Sequence, residues 1–509
     1  MKQYLLLIIC IASLNTKAQY PDEIIKLSWY TQQGTARNVA TGGVMGSLGG
    51  DITANHINPA GLGLFKTNEF VISPSFILNR NKFNYRGTDT ANAKNALNYG
   101  ASGFIFGIPH GKRAKWTSSA FSISINQLAS YNNRVRYKGF NNVSSFSEQY
   151  LEELVNDGAD TIAALQNYIF GSSLAFRTYL VDKETGAGGN LIGYQSLVPI
   201  STGVIQERDE TTRGGFHELA VGFANNMDDK LYLGGSLSIP FSIYSRDLFY
   251  KESDATNNTN NDFGFFEYKE KLKSTGVGIG LKLGAIYKPK EYIRLGVALH
   301  TPQLMSFKDE LQSWMTTNTE NYAGTVSESS DALNSGDPGK REYNVITPWK
   351  AIVSASYVFR EVENTKRQRA FISADVEYVN HRGARYMTAD EEDVVLDDYY
   401  KTVNSAIKDY YKGNFNFRIG GELKLHTWMF RLGGAYYGSP YKQDDLKANR
   451  ILATGGLGYR NKGMFIDLSY SHAFVKDINV PYRLADKANT FAAQTGSRGN
   501  IIATLGFKF

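Results

Sequence analysis

The chain has 509 residues, of which 42% are hydrophobic and 20% charged, with 49 Gly and 12 Pro; it is too apolar for a disordered chain and lacks the glycine period of a collagen. Its 32 Tyr and 29 Phe beside abundant Gly suit strands and membrane interfaces better than a helical enzyme. The formal charge of +6 is spread along the chain with no basic block, which argues against nucleic acid as a partner.

The first element is a leader. Lys2 precedes the apolar run 5–14, and Asn15-Thr16-Lys17-Ala18 sets small residues before the bond to Gln19, the pattern of a secretory signal peptide over 1–18. The only cysteine, Cys10, lies inside that run behind Ile9, where a lipid-anchor site needs a small residue. The mature chain then holds no disulfide and no thiolate metal site, which fits bacterial export; loss of Lys2 and Lys17 lowers its charge to +4. Beyond the leader no run approaches the ~18 apolar residues of a transmembrane helix. A membrane barrel stays open, because its strands bury one face in lipid and read as alternating segments of about 10 residues.

Period-two alternation is the dominant signal along the rest of the chain. In Phe415-Asn416-Phe417-Arg418-Ile419-Gly420-Gly421-Glu422-Leu423-Lys424-Leu425 the odd positions are apolar or Gly and the even ones polar or Gly. The same split sets Ile293, Leu295, Val297 and Leu299 against Arg294, Gly296, Ala298 and His300, and Leu231, Leu233, Leu237, Ile239, Phe241 and Ile243 against Lys230, Ser236, Ser238 and Ser242. Such segments fall at 69–79, 100–109, 116–127, 216–225, 229–245, 272–287, 291–301, 346–359, 367–381, 414–425, 427–438, 449–460, 463–475 and 498–509, which makes 14. An even number returns both ends to the periplasmic side.

Connection lengths alternate as well. Short turns are expected at 110–115, 226–228, 288–290, 360–366, 426 and 461–462, and long external loops at 80–99, 128–215, 246–271, 302–345, 382–413, 439–448 and 476–497. A soluble sandwich has no reason to sort its loops in this way. Three long loops carry helical spacing: Leu151, Leu154, Val155, Ile162, Leu165 and Ile169; Phe307, Leu311, Trp314 and Met315; and Tyr399, Tyr400, Val403, Ile407, Tyr410 and Tyr411. These faces form a cap, or line a greasy landing site for which Leu151, Leu154, Phe307, Leu311 and Trp314 are the candidate residues. The chain ends Thr504-Leu505-Gly506-Phe507-Lys508-Phe509, alternating up to a terminal aromatic, similar to the last-strand signal read by the outer-membrane assembly machinery.

Ahead of the first strand stand Gly34-Thr35-Ala36-Arg37-Asn38-Val39-Ala40-Thr41-Gly42-Gly43-Val44 and then Gly49-Gly50-Asp51-Ile52-Thr53-Ala54-Asn55-His56-Ile57-Asn58-Pro59-Ala60-Gly61-Leu62. This stretch resembles the hatch of the FadL/TodX family of outer-membrane transporters of hydrophobic compounds, especially the Bacteroidota forms. The match is carried by Asn58-Pro59-Ala60, with echoes in Arg294–Pro302 and Phe430–Pro440. The resemblance implies an all-β fold, a 14-stranded antiparallel transmembrane β-barrel with an N-terminal hatch (plug) and partly helical extracellular loops, divided into leader 1–18, extension and hatch 19–68, and barrel 69–509. It also implies entry from outside, apolar binding sites and sideways exit through a gap at a kinked strand.

The third strand, 116–127, contains neither Gly nor Pro, so that kink has no local cause there, and Pro74 and Pro240 are alternative breaks, each losing a ladder hydrogen bond. Asn58, Pro59, Ala60, Gly61 and Leu62 are the candidate gating or ligand residues; the bland reading is a turn holding the plug to the wall. Arg37 and Asp51 are expected to pair inside the plug. Arg294, Asp375, Glu377, Arg418, Glu422, Lys424, Arg431 and Asp467 face the lumen and read mostly as wall ion pairs. His110, His217, His300, His381, His426 and His472 show no metal-ligand spacing, and the run Asp390-Glu391-Glu392-Asp393 with Asp397-Asp398 reads as a solvated face before a calcium site. No Gly-x-Ser-x-Gly elbow, Walker loop or dinucleotide fingerprint sits in a fitting context. The expectation is a passive channel for hydrophobic small molecules such as long-chain fatty acids, without cofactor or metal, with outer-membrane lipid and the assembly machinery as partners. The alternatives are an accessory barrel in an assembly or secretion complex and, less directly, a barrel hydrolase using His300 or His381 near the outer rim.

Overall fold

The computed structural model describes residues 21–111, 114–256, 258–359, 369–390, 392–443 and 448–509; the expected leader 1–18 and the expected turn at 360–366 lie outside them. Alternation over most of the chain leaves each strand with one apolar and one polar face, and the arrangement that buries neither edge is a closed cylinder. Fourteen antiparallel strands form it.

These are β1 (Glu69–Ile72, then Pro74–Tyr85), β2 (Thr88–Tyr99, then Ser102–Pro109), β3 (Trp116–Ser130, then Asn133–Asn141), β4 (Val204–Met227), β5 (Leu231–Asp254), β6 (Phe265–Lys290) and β7 (Ile293–His300, then Leu304–Asn318). The ring continues through β8 (Gly339–Ile346, then Lys350–Phe359), β9 (Ala370–Asn380, then Arg385–Thr388), β10 (Gly413–Leu425), β11 (Trp428–Tyr437), β12 (Arg450–Asn461), β13 (Met464–Asn479) and β14 (Ala492–Lys508). It closes where β14 pairs with both parts of β1, Lys508 opposite Glu69 and Ile502 opposite Ser75.

On β5 the outward positions are Leu231, Leu233, Leu237, Ile239, Phe241 and Ile243 and the buried inward ones include Ser236, Ser238 and Ser242. The assignment of faces follows the expected alternation. The tight turns are built from residues with positive φ, Asp228 and Asp229 between β4 and β5 and Lys462 and Gly463 between β12 and β13, as two-residue hairpins require.

The strands run further outward than the alternation shows. β4, β5 and β6 have 24, 24 and 26 residues, where ~9–11 cross a bilayer; above the apolar belt their outward positions become charged, as at Asp247, Lys269 and Lys271. Two expectations are corrected here. Segment 80–99 is not a long loop: β1 and β2 meet as a hairpin, Tyr85 opposite Thr88, through Arg86 and Gly87, both at positive φ. The stretch containing Phe307, Leu311, Trp314 and Met315 is not a helix but the upper part of β7, with Phe307, Leu311 and Met315 buried inward and Trp314 on the other face.

The other two helical patterns are helices. α1 (Ala36–Ala40) and α2 (Ala54–Ile57) belong to the hatch, whereas α3 (Glu148–Asn156), α4 (Thr161–Gln166) and α5 (Ser172–Arg177) sit in the loop after β3, α6 (Ser330–Leu333) after β7 and α7 (Val394–Tyr410) after β9. Phe146, Tyr150, Leu154, Leu174 and Leu180 pack on Tyr250, Phe266, Tyr268 and Met315 at the strand tops and on Tyr482, which covers the apolar faces outside the barrel. Asp393 caps α7 by accepting from Leu396 N at 3.0 Å, and Asp397 and Asp398 pair with Lys401. The described residues include no group of three or more His, Cys, Asp or Glu able to hold a metal ion.

Candidate functional site: hatch, chamber and wall seam

Residues 21–68 occupy the barrel lumen. Small residues allow the close approach: a Cβ on Gly284 would overlap Asn58 Oδ1, and one on Gly296 would overlap Gly46 O. Asn58 begins a short 3-10 turn over Pro59–Leu64, its side chain accepting from Ala60 N at 3.1 Å, with Pro59 at the first helical position where its missing N–H costs nothing. The same Asn58 Nδ2 donates to Ala285 O at 3.3 Å and Val297 O at 3.2 Å on β6 and β7. Residues 58–62 are all buried. Asn58 thus acts as the turn that holds the plug to the wall.

Further ties run around the lumen. Ala36 N donates to Thr504 Oγ1 at 2.8 Å, Thr454 Oγ1 to Ala40 O at 3.0 Å, and Arg294 to Leu48 O at 2.8 Å. Asp375 accepts from Met45 N and Gly46 N at 3.0 and 3.1 Å. Arg37 and Asp51 do not pair: Arg37 meets Glu422 at 3.4 Å and Gly50 O at 3.0 Å, and Asp51 accepts from Thr35 Oγ1 at 2.7 Å and Thr53 N at 2.9 Å. The carboxylate is the better cap for the two short hatch turns, and β10 offers the cation a second one. The wall set forms Arg418–Glu377 at 3.2 Å and Arg431 between Glu422 at 2.6 Å and Asp467 at 2.7 Å.

The tightest tie uses residues that the sequence pattern did not single out. His56 Nδ1 lies 2.7 Å from Glu218 Oε1 and its Nε2 2.9 Å from Ser124 Oγ, while Lys282 Nζ binds the same Glu218 carboxylate and His56 O. All are buried. Glu218 and Lys282 are charged residues at lumen positions of the less polar stretches 214–224 and 274–287 of their strands, and that was the available signal. His300 and His381 are clamps rather than rim residues: His300 Nε2 lies 2.7 Å from Ile57 O, and His381 Nδ1 2.9 Å from Ser28 Oγ.

Above the hatch the apolar chamber of the barrel is filled: Ile24, Ile25, Leu27 and Trp29 pack against Leu128, Phe216, Met305, Phe307, Tyr343 and Val345, covered by Tyr400, Val403 and Ile407 of α7. Between chamber and hatch lies a polar pocket of about 30 Å³ bordered by Tyr30, His56, Glu218, Lys282, His300 and Lys350, room for a single small polar group. Lys350 Nζ donates to Tyr30 OH at 2.9 Å and sits 4.2 Å from that ring. Of the five proposed landing residues only Phe307 borders this chamber; Leu154 lies in the outer cap with Leu151 against it, Leu311 packs with Tyr244 and Leu272, and Trp314 faces outward with Lys271 5.5 Å from its ring.

Between β2 and β3 the wall has a seam. The lower parts of β2 and β3 form a ladder from Pro109 opposite Ser118 up to Ser102 opposite Ile125. Higher up, Asn133–Asn141 pairs with β4, and among the described residues no ladder joins it to Thr88–Tyr99. Side-chain amides bridge instead: Asn79 Nδ2 donates to Asn132 O at 3.2 Å, Asn81 Nδ2 to Arg134 O at 3.0 Å, and the Asn92 amide to Arg134 O at 2.7 Å while accepting from Arg136 N at 3.3 Å.

The departure of β3 does have a cause, displaced from where the sequence was searched. The register against β4 slips between Gln127 and Ala129, a bulge at Leu128, and three residues on, Gly214 of β4, which accepts from Tyr131 N at 3.0 Å, has φ +106. Pro74 follows a matching shift in β1, paired with Tyr99 where Val71 pairs with Gly103. Pro240 does not break β5: it stays paired with Glu218, and only its pairing toward β6 is interrupted.

No protein-family model and no curated protein sequence matches this chain. Solved structures do. A Pseudomonas aeruginosa FadL homologue is 13% identical over 94% of this chain and 99% of its own, with a TM-score of 0.54. The Ralstonia pickettii toluene transporter TbuX is 15% identical and the Pseudomonas putida toluene transporter TodX 12%, each over 94% of this chain and 99% of its own at a TM-score of 0.50. At these identities the likeness is one of fold: the chain has the plugged 14-stranded barrel fold of FadL-type proteins.

Proposed function

We propose that the protein is an outer-membrane channel, not an enzyme, through which hydrophobic small molecules diffuse passively, that long-chain fatty acids are its substrates, and that they leave sideways through the β2/β3 seam. The observation that carries this reading is an apolar barrel interior, filled in the structure by Ile24, Ile25, Leu27 and Trp29 of the N-terminal segment, that borders a polar pocket beside Lys350. That combination suits an aliphatic chain with one carboxylate. The shared fold with a FadL homologue and with toluene transporters supports a hydrophobic cargo. Exit into lipid also spares the chain exposure to water, worth about 0.8 kcal/mol per CH₂.

In this reading the leader 1–18 directs export, the terminal Phe509 strand is read by the assembly machinery, and residues 58–62 gate by moving with the hatch rather than by touching cargo. The test compares binding of oleate and oleyl alcohol to the purified protein. Lys350→Met is expected to weaken oleate by on the order of 10-fold, as loss of one charge-assisted hydrogen bond does, and to leave oleyl alcohol unchanged. Equal loss for both ligands contradicts carboxylate recognition at Lys350.

A further inference from the structure

At the foot of the seam, where the lead of the hatch meets β2, two asparagines bond Gln33, and Ser75 and Asn98 stand on the adjoining strands β1 and β2. Ser75 on β1 stands opposite Asn98 on β2, and on its other side opposite Ile502, two residues along β14 from Asn500. Asn500 Nδ2 donates to Gln33 Oε1 at 2.9 Å, and Asn126 Nδ2 on β3 donates to Gln33 O at 3.2 Å. These bonds fix which end of each amide is which. They leave Asn126 Oδ1 and Asn500 Oδ1, together with Asn98 Oδ1 and Ser75 Oγ, buried without a hydrogen-bond partner. Ser75, Asn126 and Asn500 are only 6%, 0% and 4% exposed, so bulk water does not serve them.

Unpartnered buried carbonyl oxygens are costly to leave and rare in folded proteins. These four lie along the exit route that the channel reading assigns. We infer that this niche is a recognition site for a hydroxyl group on the cargo, so that the protein favours hydroxylated acyl chains over plain ones. Three of the four atoms only accept, which suits an alcohol O–H, repels a carboxylate and gains nothing from a hydrocarbon. Amide oxygens and one hydroxyl, with no carboxylate among them, are also a poor set for a divalent cation. The inference rests on the channel reading, with the carboxylate end held at the Lys350 pocket and the hydroxyl partway along the chain.

The experiment is equilibrium binding of radiolabelled stearate and 12-hydroxystearate to the full-length mature protein in lipid nanodiscs. The hydroxylated acid is expected to bind about 10-fold more tightly, the return on one or two newly satisfied acceptors. In Ser75→Ala/Asn98→Ala the preference is expected to fall within about 2-fold with stearate affinity unchanged, and Asn500→Leu provides a second route to the same loss. Equal affinity of the unaltered protein for the two acids overturns the niche and leaves the channel reading standing, as does a preference that survives both variants. Binding of neither acid contradicts the channel reading and the niche with it. The unaltered protein decides the question even if a variant fails to fold.

Discussion

At the scale of single residues, the hatch is held by buried polar contacts in which one partner cannot be removed without stranding another. Glu218 serves Lys282, His56 and Ser238 together. Glu218→Gln leaves a buried ammonium uncompensated, a loss of roughly 3–5 kcal/mol for a broken buried pair, and it is expected to raise amide hydrogen exchange across 54–62 while the strands stay protected. Unchanged exchange there contradicts the latch. Gly284→Val drives a side chain into Asn58 Oδ1 and is expected to produce the same local opening with every charge intact.

Glu252, near the outer end of β5, is buried in the extracellular cap, where it accepts from Phe146 N at 2.8 Å, Gln206 Nε2 at 2.7 Å and Tyr250 OH at 3.0 Å. Burial pushes its carboxyl up to about 7, against the pull of those donors. The folded cap therefore holds a proton that the unfolded cap releases near the ordinary carboxylate value. Its stability is expected to be full at pH 5 and to fall as pH rises toward and through 7. Proteolysis of the loop 142–203 at pH 5 and pH 8 checks this: cleavage is slower at pH 5, and in Glu252→Gln the difference disappears.

At the scale of elements, the strands that cross lipid were legible and the parts above it were not. Within the belt, one face must be apolar and the other polar, so alternation is enforced by solvent on each side. Above the belt both faces are partly polar, and Lys269, Lys271 and Lys273 break the pattern although the β6 ladders run on through all three. Phe307, Leu311 and Met315 misled for a different reason: a spacing of four residues suits one face of a helix and one face of a strand equally, and only Trp314, out of phase in a strand, distinguishes the two. The slip at Leu128 has no Gly or Pro to announce it, since it faces His217 and Phe216 and the nearby Gly214 lies on another strand. The same element supplies a prediction. Because Cys10, inside the expected leader, is the one cysteine of the sequence, Asn92→Cys with Arg134→Cys joined by a short thiol cross-linker is expected to fix the seam and abolish exit while cargo still binds. Unchanged transport after complete cross-linking rules out exit at this seam.

At the scale of the whole molecule, three layers follow from where polarity is placed: an apolar outer belt, a lumen filled by the chain's own first segment, and a helical cap over the outer end. The sequence pattern carried the belt and the hatch, since Asn58-Pro59-Ala60 and the small residues before it are demanded by close packing against wall glycines. The partners within the lumen, such as Arg37 with Glu422 and His56 with Glu218, depend on which strands face one another across the cylinder and are not written in any local spacing. The central claim, that this cylinder passes hydrophobic acids through a membrane, is tested most directly by radiolabelled oleate uptake in cells that lack their own fatty-acid channel. Expression of the full-length protein is expected to raise uptake well above the vector control, and the Asn92–Arg134 cross-link to return it to background; uptake equal to the control for oleate and for other hydrophobic substrates contradicts the account.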